Sequence, residues 1–532
     1  MQSRTALAIF VLLAGLHLWP LSTAPARLSL NYNADAEYFA WALAWIARTL
    51  PTDPARLFEA NIFSPEAATL AYSHPVVVPA LVAAPILWIG GSPVLLYNVS
   101  LLVGLVLTAW TTWRLTREWT GSASAALVAG AAAAFNVHLL TRLPHITAAH
   151  AWGLPLTLLF ADRLIRRPNG RDALGVAFAV AVTAGTSLYW LAVAGVIVAA
   201  TMLAGRLGRG AWAVGGAALV GLAAALPLLL PYVRMAATGV RRPIEMVADF
   251  SATPAGYLTS TSVLHAGWSA PFFRDDVNVL FAGIAALALA AVGLGAIGSD
   301  APARRRVALL VGLAATAVVL SLGPATAAYR VLYDWLPPLG ALRAVARFGY
   351  LYLLAVAVLA GFGVAWIQRR VSPRLAPIVA AAALVLVTAE AWQGPVRTEP
   401  FTRVPPIYTL LAEPGEPVVL VEVPFFPPHL VHFNGEYVLN STAHWQPLMN
   451  GTGGLTPLSY RRRAESFWFF PDDWAIDAIV AEGATHVMVH LEHFGDRERE
   501  EVRAALLNDP RLRPLAADPL GHRLYRVVPN QP

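Results

Sequence analysis

Long apolar runs alternate with short polar connections along most of the chain. A helix needs about 20 mostly apolar residues to cross the hydrocarbon of a bilayer. Runs of that kind lie near 5–23, 94–113, 122–138, 149–165, 172–188, 189–205, 211–230, 277–297, 306–322, 348–367 and 375–393. The pattern predicts a polytopic α-helical membrane protein with about eleven spans. Several runs are rich in Ala and Gly, which lets helix backbones approach closely and predicts a packed bundle. The first run follows Arg4 and precedes Ser22, Thr23 and Ala24, as in a signal peptide. Its apolar core is long for that, and it is read as an uncleaved first span.

Residues 76–91 are apolar but short, and they contain Pro79 and Pro85. If they crossed the membrane, every later connection would change sides. They are read as a juxtamembrane or re-entrant helix, which is tolerated where protein buries the backbone. The first outer loop then covers 24–93. It opens with Asn31, Asp35 and Glu37, and a helix follows with Phe39, Leu43, Trp45 and Ile46 on its apolar face and Trp41 at the rim. That pattern suits a helix lying on the membrane surface. Two further outer segments cover 231–276 and 323–347. From residue 394 the chain turns polar and Pro-rich. Val418–Val423 and His486–His490 read as buried strands, and Ile476–Ala481 and Arg497–Leu507 as helices. The expected plan is a membrane domain, 1–393, and a small extracytoplasmic α/β domain, 394–532.

Charge sharpens the topology. Hydrophobic residues make up 57% of the chain and charged ones 13%, against about 25% charged in soluble domains. The net charge is +6 and every basic residue other than His is Arg. Arg4; Arg114 and Arg117; Arg163, Arg166, Arg167 and Arg171; Arg206 and Arg209; Arg304, Arg305 and Arg306; and Arg369, Arg370 and Arg374 fall on alternate connections. Cytoplasmic loops carry such an excess, which places the N-terminus inside and the C-terminal domain outside. No basic stripe with interleaved aromatics points to nucleic acid. With no Cys, disulfides, thiolate metal sites and thiol nucleophiles are excluded.

Candidate chemistry is concentrated on the outer side. Asp35 and Glu37 can supply a general base or bind a divalent cation; acids in that position also simply favour a helix N-terminus. His138, Arg142, His145 and His150 share an outer turn, but His145 and His150 are five residues apart, a poor spacing for one helix face. They suit hydrogen-bonded histidines or an anion site better than zinc. Arg234, Arg241 and Arg242, with Arg343 and Arg347, lie outside against the orientation rule. Arginine binds phosphate bidentately and keeps its charge, so these are candidates for a lipid-linked phosphate. The plainer reading is contact with lipid headgroups or ion pairs with Glu245, Asp249 or Asp334. Phosphate-cradling, dinucleotide, HExxH and GxSxG motifs are absent. No span carries a series of acids such as ion-coupled transport uses.

The order of parts resembles the GT-C class of integral-membrane glycosyltransferases: a first span, a long outer loop opening on acids, juxtamembrane helices, many further spans and a C-terminal extracytoplasmic domain. Local strings resemble a bacterial group of such proteins that use polyprenyl-phosphate sugars. They are Phe58-Glu59-Ala60-Asn61-Ile62-Phe63-Ser64-Pro65 with Tyr72-Ser73-His74, Leu342-Arg343-Ala344-Val345-Ala346-Arg347-Phe348, and Thr442-Ala443-His444-Trp445-Gln446-Pro447-Leu448-Met449-Asn450-Gly451. The resemblance implies sugar transfer from a polyprenyl-phosphate donor to a glycan, lipid or protein acceptor on the outer face of a bacterial cytoplasmic membrane. It implies Asp35 as base with Glu37 in support, or both around a cation such as Mg or Mn if one is used. Arg234, Arg241, Arg242, Arg343 and Arg347 then face the donor phosphate. Asn31, His74 and His145 become candidates for substrate binding. No acid stands at 138–150, where the class often places a second one. The competing readings are a non-catalytic scaffold for surface polysaccharide and a lipid or oligosaccharide transporter.

Overall fold

The computed structural model describes residues 2–237, 241–298, 300–413 and 415–528. Each apolar run seen in the sequence is helical. Among the described residues, three helices are long and apolar enough to cross a membrane: Pro93–Thr120, Ala123–Thr141 and Val345–Gln368. Arg209–Ala224 and Leu226–Ala237 make a fourth if taken as one span bent by 80°. Ser3–His17, Leu188–Ala204, Ile284–Gly298 and Ala376–Ala391 are apolar but shorter. Polar caps set several starts. Ser122 accepts from the Ala125 amide, Asn169 from Asp172 and Asp300 from Ala303, each satisfying a donor the helix leaves unpaired.

By its contacts the chain forms two compact units, Met1–Ala24 with Val99–Arg397, and Pro25–Asn98 with Thr398–Pro532. In the first, helix Gly349–Gln368 is buried along most of its length, and Ile284–Gly293, Ala123–Ala134 and Ala301–Ser321 pack on it. Small residues set the spacing. A Cβ at Gly363 would lie 1.9 Å from the Leu289 carbonyl oxygen, and one at Gly293 would lie 2.2 Å from that of Leu359. Without a hydrophobic drive between helices in lipid, such backbone approach supplies packing.

The Arg-rich connections of this unit gather at one end. Arg163 donates to Glu118 at 2.9 Å. Asp162 is buried, accepts from Arg306 at 3.0 Å and from Arg305, and is ion-paired with Arg166 at 3.2 Å. Gln368 bonds Ser122 and Ser124, and Gly210 lies against the Ile165 backbone. A single buried carboxylate among three guanidiniums is paired well enough to offset its desolvation.

The second unit holds two sheets. β1 (Leu28–Ser29) pairs antiparallel with β2 (Glu399–Pro400). β3 (Leu420–Val423), β4 (His486–His490), β5 (Leu512–Ala517) and β6 (His522–Val527) form a sheet ordered β3-β4-β6-β5, with only β3 and β4 parallel. Helices Asp473–Ala481 and Asp496–Asn508 form where helices were expected. The first and third of the strings quoted above meet here: the Phe63 amide donates to the Asn450 carbonyl at 2.9 Å and Leu448 to that of Asn61 at 2.7 Å.

One expectation fails. Helix Ala34–Thr52 is not a surface helix with Trp41 at its rim; Trp41 is fully buried and donates to Asn61 Oδ1 at 3.1 Å. Helix Val77–Trp88, helix Gly435–Asn440 and the turns beside it cover the faces that the sequence pattern assigned to water or lipid. Val77–Trp88 has 12 residues, or about 18 Å, against about 30 Å of hydrocarbon. Its Trp88 donates to the Ala47 carbonyl at 2.9 Å.

Replacing Gly363 by Val forces the helices apart. Thermal unfolding in detergent is expected to show a loss of about 1–3 kcal/mol, the usual cost of overpacking; an unchanged melting temperature contradicts the close contact.

Candidate functional site

Asn33 begins the acidic helix. Its side chain accepts from the Asp35 amide at 2.9 Å, with the backbone extended at φ −131°, and both Asp35 and Glu37 fall in the first turn. The helix N-terminus favours negative charge there, so the capping role and a chemical one coexist. Both acids are half-buried. Glu37 lies against Gly435, where an added Cβ would come 2.5 Å from Glu37 Oε2 and 3.1 Å from Ala34 Cβ. Burial, then the charges of Glu436 and Glu399, push the Glu37 carboxyl up to about 8. Asn31 donates its amide to Ser29 Oγ at 3.3 Å just before this turn. His74 leads into helix Val77–Trp88, and its neighbour Ser73 hydrogen-bonds Tyr38, whose hydroxyl is pushed up by burial. Asn31, Asp35, Glu37 and His74 thus belong to one unit.

Carboxylates suit a hard cation such as Mg or Mn. Among the described residues, however, Asp35 and Glu37 belong to no group of three ligating side chains. No step is assigned to a cation at this pair.

The five candidate arginines belong to the other unit, and the structure divides them. Arg242 lies in electrostatic range of Arg343 and of Tyr189, the ring that Arg347 covers. The Arg347 guanidinium sits 4.5 Å from the Tyr189 ring centroid and that of Arg343 sits 4.4 Å from Phe250. Tyr189 Oη accepts from the Ala344 amide at 2.7 Å. Burial, then the charge of Arg343, pulls the Arg242 guanidinium down, as expected of like charges held together. Arg241 is engaged elsewhere, 3.9 Å over the Tyr333 ring and bonded to the Tyr333 carbonyl at 2.9 Å and to Asp334 at 3.3 Å. Its ion pair is the plainer reading the sequence allowed. Arg234 is exposed at the end of helix Leu226–Ala237.

His145 caps the short helix Ile146–Ala149 and is half-buried. His138 and His150 are hydrogen-bonded inside the bundle. His138 Nδ1 lies 2.9 Å from the Val279 carbonyl, and His150 Nε2 lies 2.9 Å from that of Ser100.

No protein-family model matches this sequence, and no curated protein matches it. Solved structures do. The arabinofuranosyltransferase AftD from Mycobacteria superposes with a TM-score of 0.62 at 17% identity, covering 99% of this chain and 40% of that one. This chain has the GT-C fold. It spans 40% of the length of AftD. The archaeal oligosaccharyltransferase AglB from Archaeoglobus fulgidus, solved with an inhibitory peptide and a dolichol-phosphate, matches at a TM-score of 0.45 and 14% identity, over 100% of this chain and 75% of that one. ArnT from Cupriavidus metallidurans matches at 0.40 and 12%, over 98% and 97%.

Sequence reasoning missed a cluster in the C-terminal part of this GT-C chain. Glu422 and His490 are fully buried, with Glu422 Oε2 2.6 Å from His490 Nε2 and accepting from Tyr408 at 2.5 Å. His490 Nδ1 lies 3.2 Å from Glu492 Oε1. Burial alone lowers an imidazole, but the Glu422 and Glu492 carboxylates outweigh it and hold His490 up at about 9. His493 lies 3.5 Å from Glu436, one of the acids raising Glu37. The signal was visible in part: Glu422 is an acid inside an otherwise apolar strand, and His486 and His490 bound another.

Glu37 provides a pH test. A carboxyl raised from the usual 4.5 to about 8 holds its proton longer when folded, so its contribution is greatest at low pH and is lost as pH rises through about 8. Glu37→Gln is therefore expected to gain stability relative to the parent between pH 5 and 8, read as melting temperature in detergent. A constant difference across that range contradicts the assignment.

Proposed function

We propose that this protein transfers a sugar from a polyprenyl-phosphate donor to an acceptor on the outer face of the bacterial cytoplasmic membrane. The observation that carries the reading is that Arg242 lies in electrostatic range of Arg343 and of Tyr189, the ring that Arg347 covers, in a chain with the GT-C fold. In this reading the eleven apolar helical segments of 1–393 traverse the membrane, the N-terminus is cytoplasmic, and 394–532 is extracytoplasmic. The Arg-rich connections gathered around Asp162 and Glu118 support that alternation.

The chemistry follows from charge. The acceptor oxygen forms a bond to the anomeric carbon as the bond from that carbon to the phosphate oxygen breaks. The electron pair leaves with polyprenyl phosphate, and Arg242, Arg343 and Arg347 stabilise its growing charge. Asp35 takes the acceptor proton. Glu37, held up near 8, keeps a proton at neutral pH and can donate a hydrogen bond to the acceptor. Asn31, His74 and His145 are assigned to substrate binding, and Arg234 to lipid headgroups.

Turnover is tested with purified protein and a panel of polyprenyl-phosphate-linked hexoses and pentoses, following release of polyprenyl phosphate. Asp35→Asn is expected to lower kcat about 10²–10⁴-fold. Arg343→Ala and Arg347→Ala are each expected to lower kcat/KM about 10–100-fold, the worth of one charged hydrogen bond, with partial recovery in the Lys variants. A folded Asp35→Asn protein with full turnover removes Asp35 as the base, and a folded parent that releases no polyprenyl phosphate from any donor overturns the proposal and favours a scaffold.

A further inference from the structure

The register of β4 and β6 sets His490 directly opposite His522. Directly opposed residues share a sheet face, and the two imidazole centroids are 4.9 Å apart. Glu492 follows two residues after β4 ends. Its Oε1 lies 3.2 Å from His490 Nδ1 and 3.0 Å from His522 Nε2, and the three ligating atoms all lie within 4.8 Å of one another. In a tetrahedral site with bonds of about 2.0–2.1 Å, neighbouring ligand atoms are about 3.3 Å apart. The two edges to Glu492 are already close to that length.

The far side of each ring carries the second half of the pattern. Metal-bound imidazoles almost always give their other N–H to a carboxylate, carbonyl or water, which fixes tautomer and orientation. His490 Nε2 lies 2.6 Å from Glu422 Oε2, and His522 Nδ1 lies 2.6 Å from Asp518 Oδ2. Both carboxylates are themselves held. Tyr408 donates to Glu422, and Asp518 Oδ1 accepts from the amides of Leu520 and His522, each at 3.0 Å. Gly521, at φ +111°, completes that turn, and a Cβ there would lie 2.7 Å from Glu492 Oε2. Three carboxylates facing two imidazoles call for added positive charge. His490 and His522 are buried while Glu492 is exposed, which leaves an entry path and a side open to water.

We propose that His490, Glu492 and His522 bind one divalent transition-metal ion of the zinc class, with Glu422 and Asp518 orienting the two imidazoles. Two imidazoles and one carboxylate select zinc or its neighbours over magnesium or calcium. With three protein ligands the fourth position takes water, as in open zinc sites. The ion ties β4 to the β5–β6 hairpin. It shares no residue with Asp35 or Glu37, so the inference stands independently of sugar transfer.

The test uses the full chain in detergent, stripped with chelator and then dialysed against zinc or cobalt. One zinc per chain is expected by elemental analysis, with a visible cobalt spectrum typical of tetrahedral nitrogen and oxygen ligands. Glu492→Gln and His522→Gln are expected to lose the ion. Asp518→Asn should weaken it about 10–100-fold, and Asp35→Asn should keep it. Melting temperatures in chelator identify variants folded like the stripped parent. A parent chain that retains no zinc, or zinc retained equally by Glu492→Gln and His522→Gln, overturns the site and leaves a hydrogen-bonded network alone.

Discussion

A carboxyl group packed where no side chain fits opposite it is the constraint on which the rest depends. Glu37 meets the bare Cα of Gly435, with Glu436 and Glu399 in electrostatic range. Burial near like charges favours the neutral acid, and such groups concentrate at functional sites. Holding it requires a rigid surround. Trp41 and Asn61 supply part of this, and Asn61 also bonds Ser441 and the Gln446 carbonyl. The acidic turn is therefore built by residues distant along the chain, which explains why Pro25–Asn98 groups with the C-terminal segment.

The other unit carries the candidate arginines. Arg343 and Arg347 lie against the rings of Phe250 and Tyr189, and the Arg242 amide donates to the Gly340 carbonyl. Like charges brought together disfavour one another, and arginine is suited to bidentate contact with phosphate. Arg241 bonds Asp334 and the Tyr333 carbonyl. One sequence cluster, Arg241 and Arg242, thus separates into a structural and a chemical candidate.

Much of the architecture was legible because lipid and strand periodicity act locally. Apolar runs must be helical where water is absent, and His486–His490 was read as a strand with the bounds it has. The Arg alternation found its counterpart in the contacts around Asp162. What was not legible depends on distant pairing. Trp41 looked like a rim residue because its cover comes from Asn61 and the 435–443 region. The His490, Glu492 and His522 group depends on strand register across some thirty residues, and Glu422 comes from farther still. The nearness of Arg242 to Arg343 depends on two segments distant along the chain.

The central claim concerns a phosphate among three arginines. The most direct measurement is a structure of the protein bound to polyprenyl phosphate by electron cryo-microscopy. The account predicts head-group density in contact with the guanidiniums of Arg242, Arg343 and Arg347. Lipid density whose phosphate lies away from all three would contradict it.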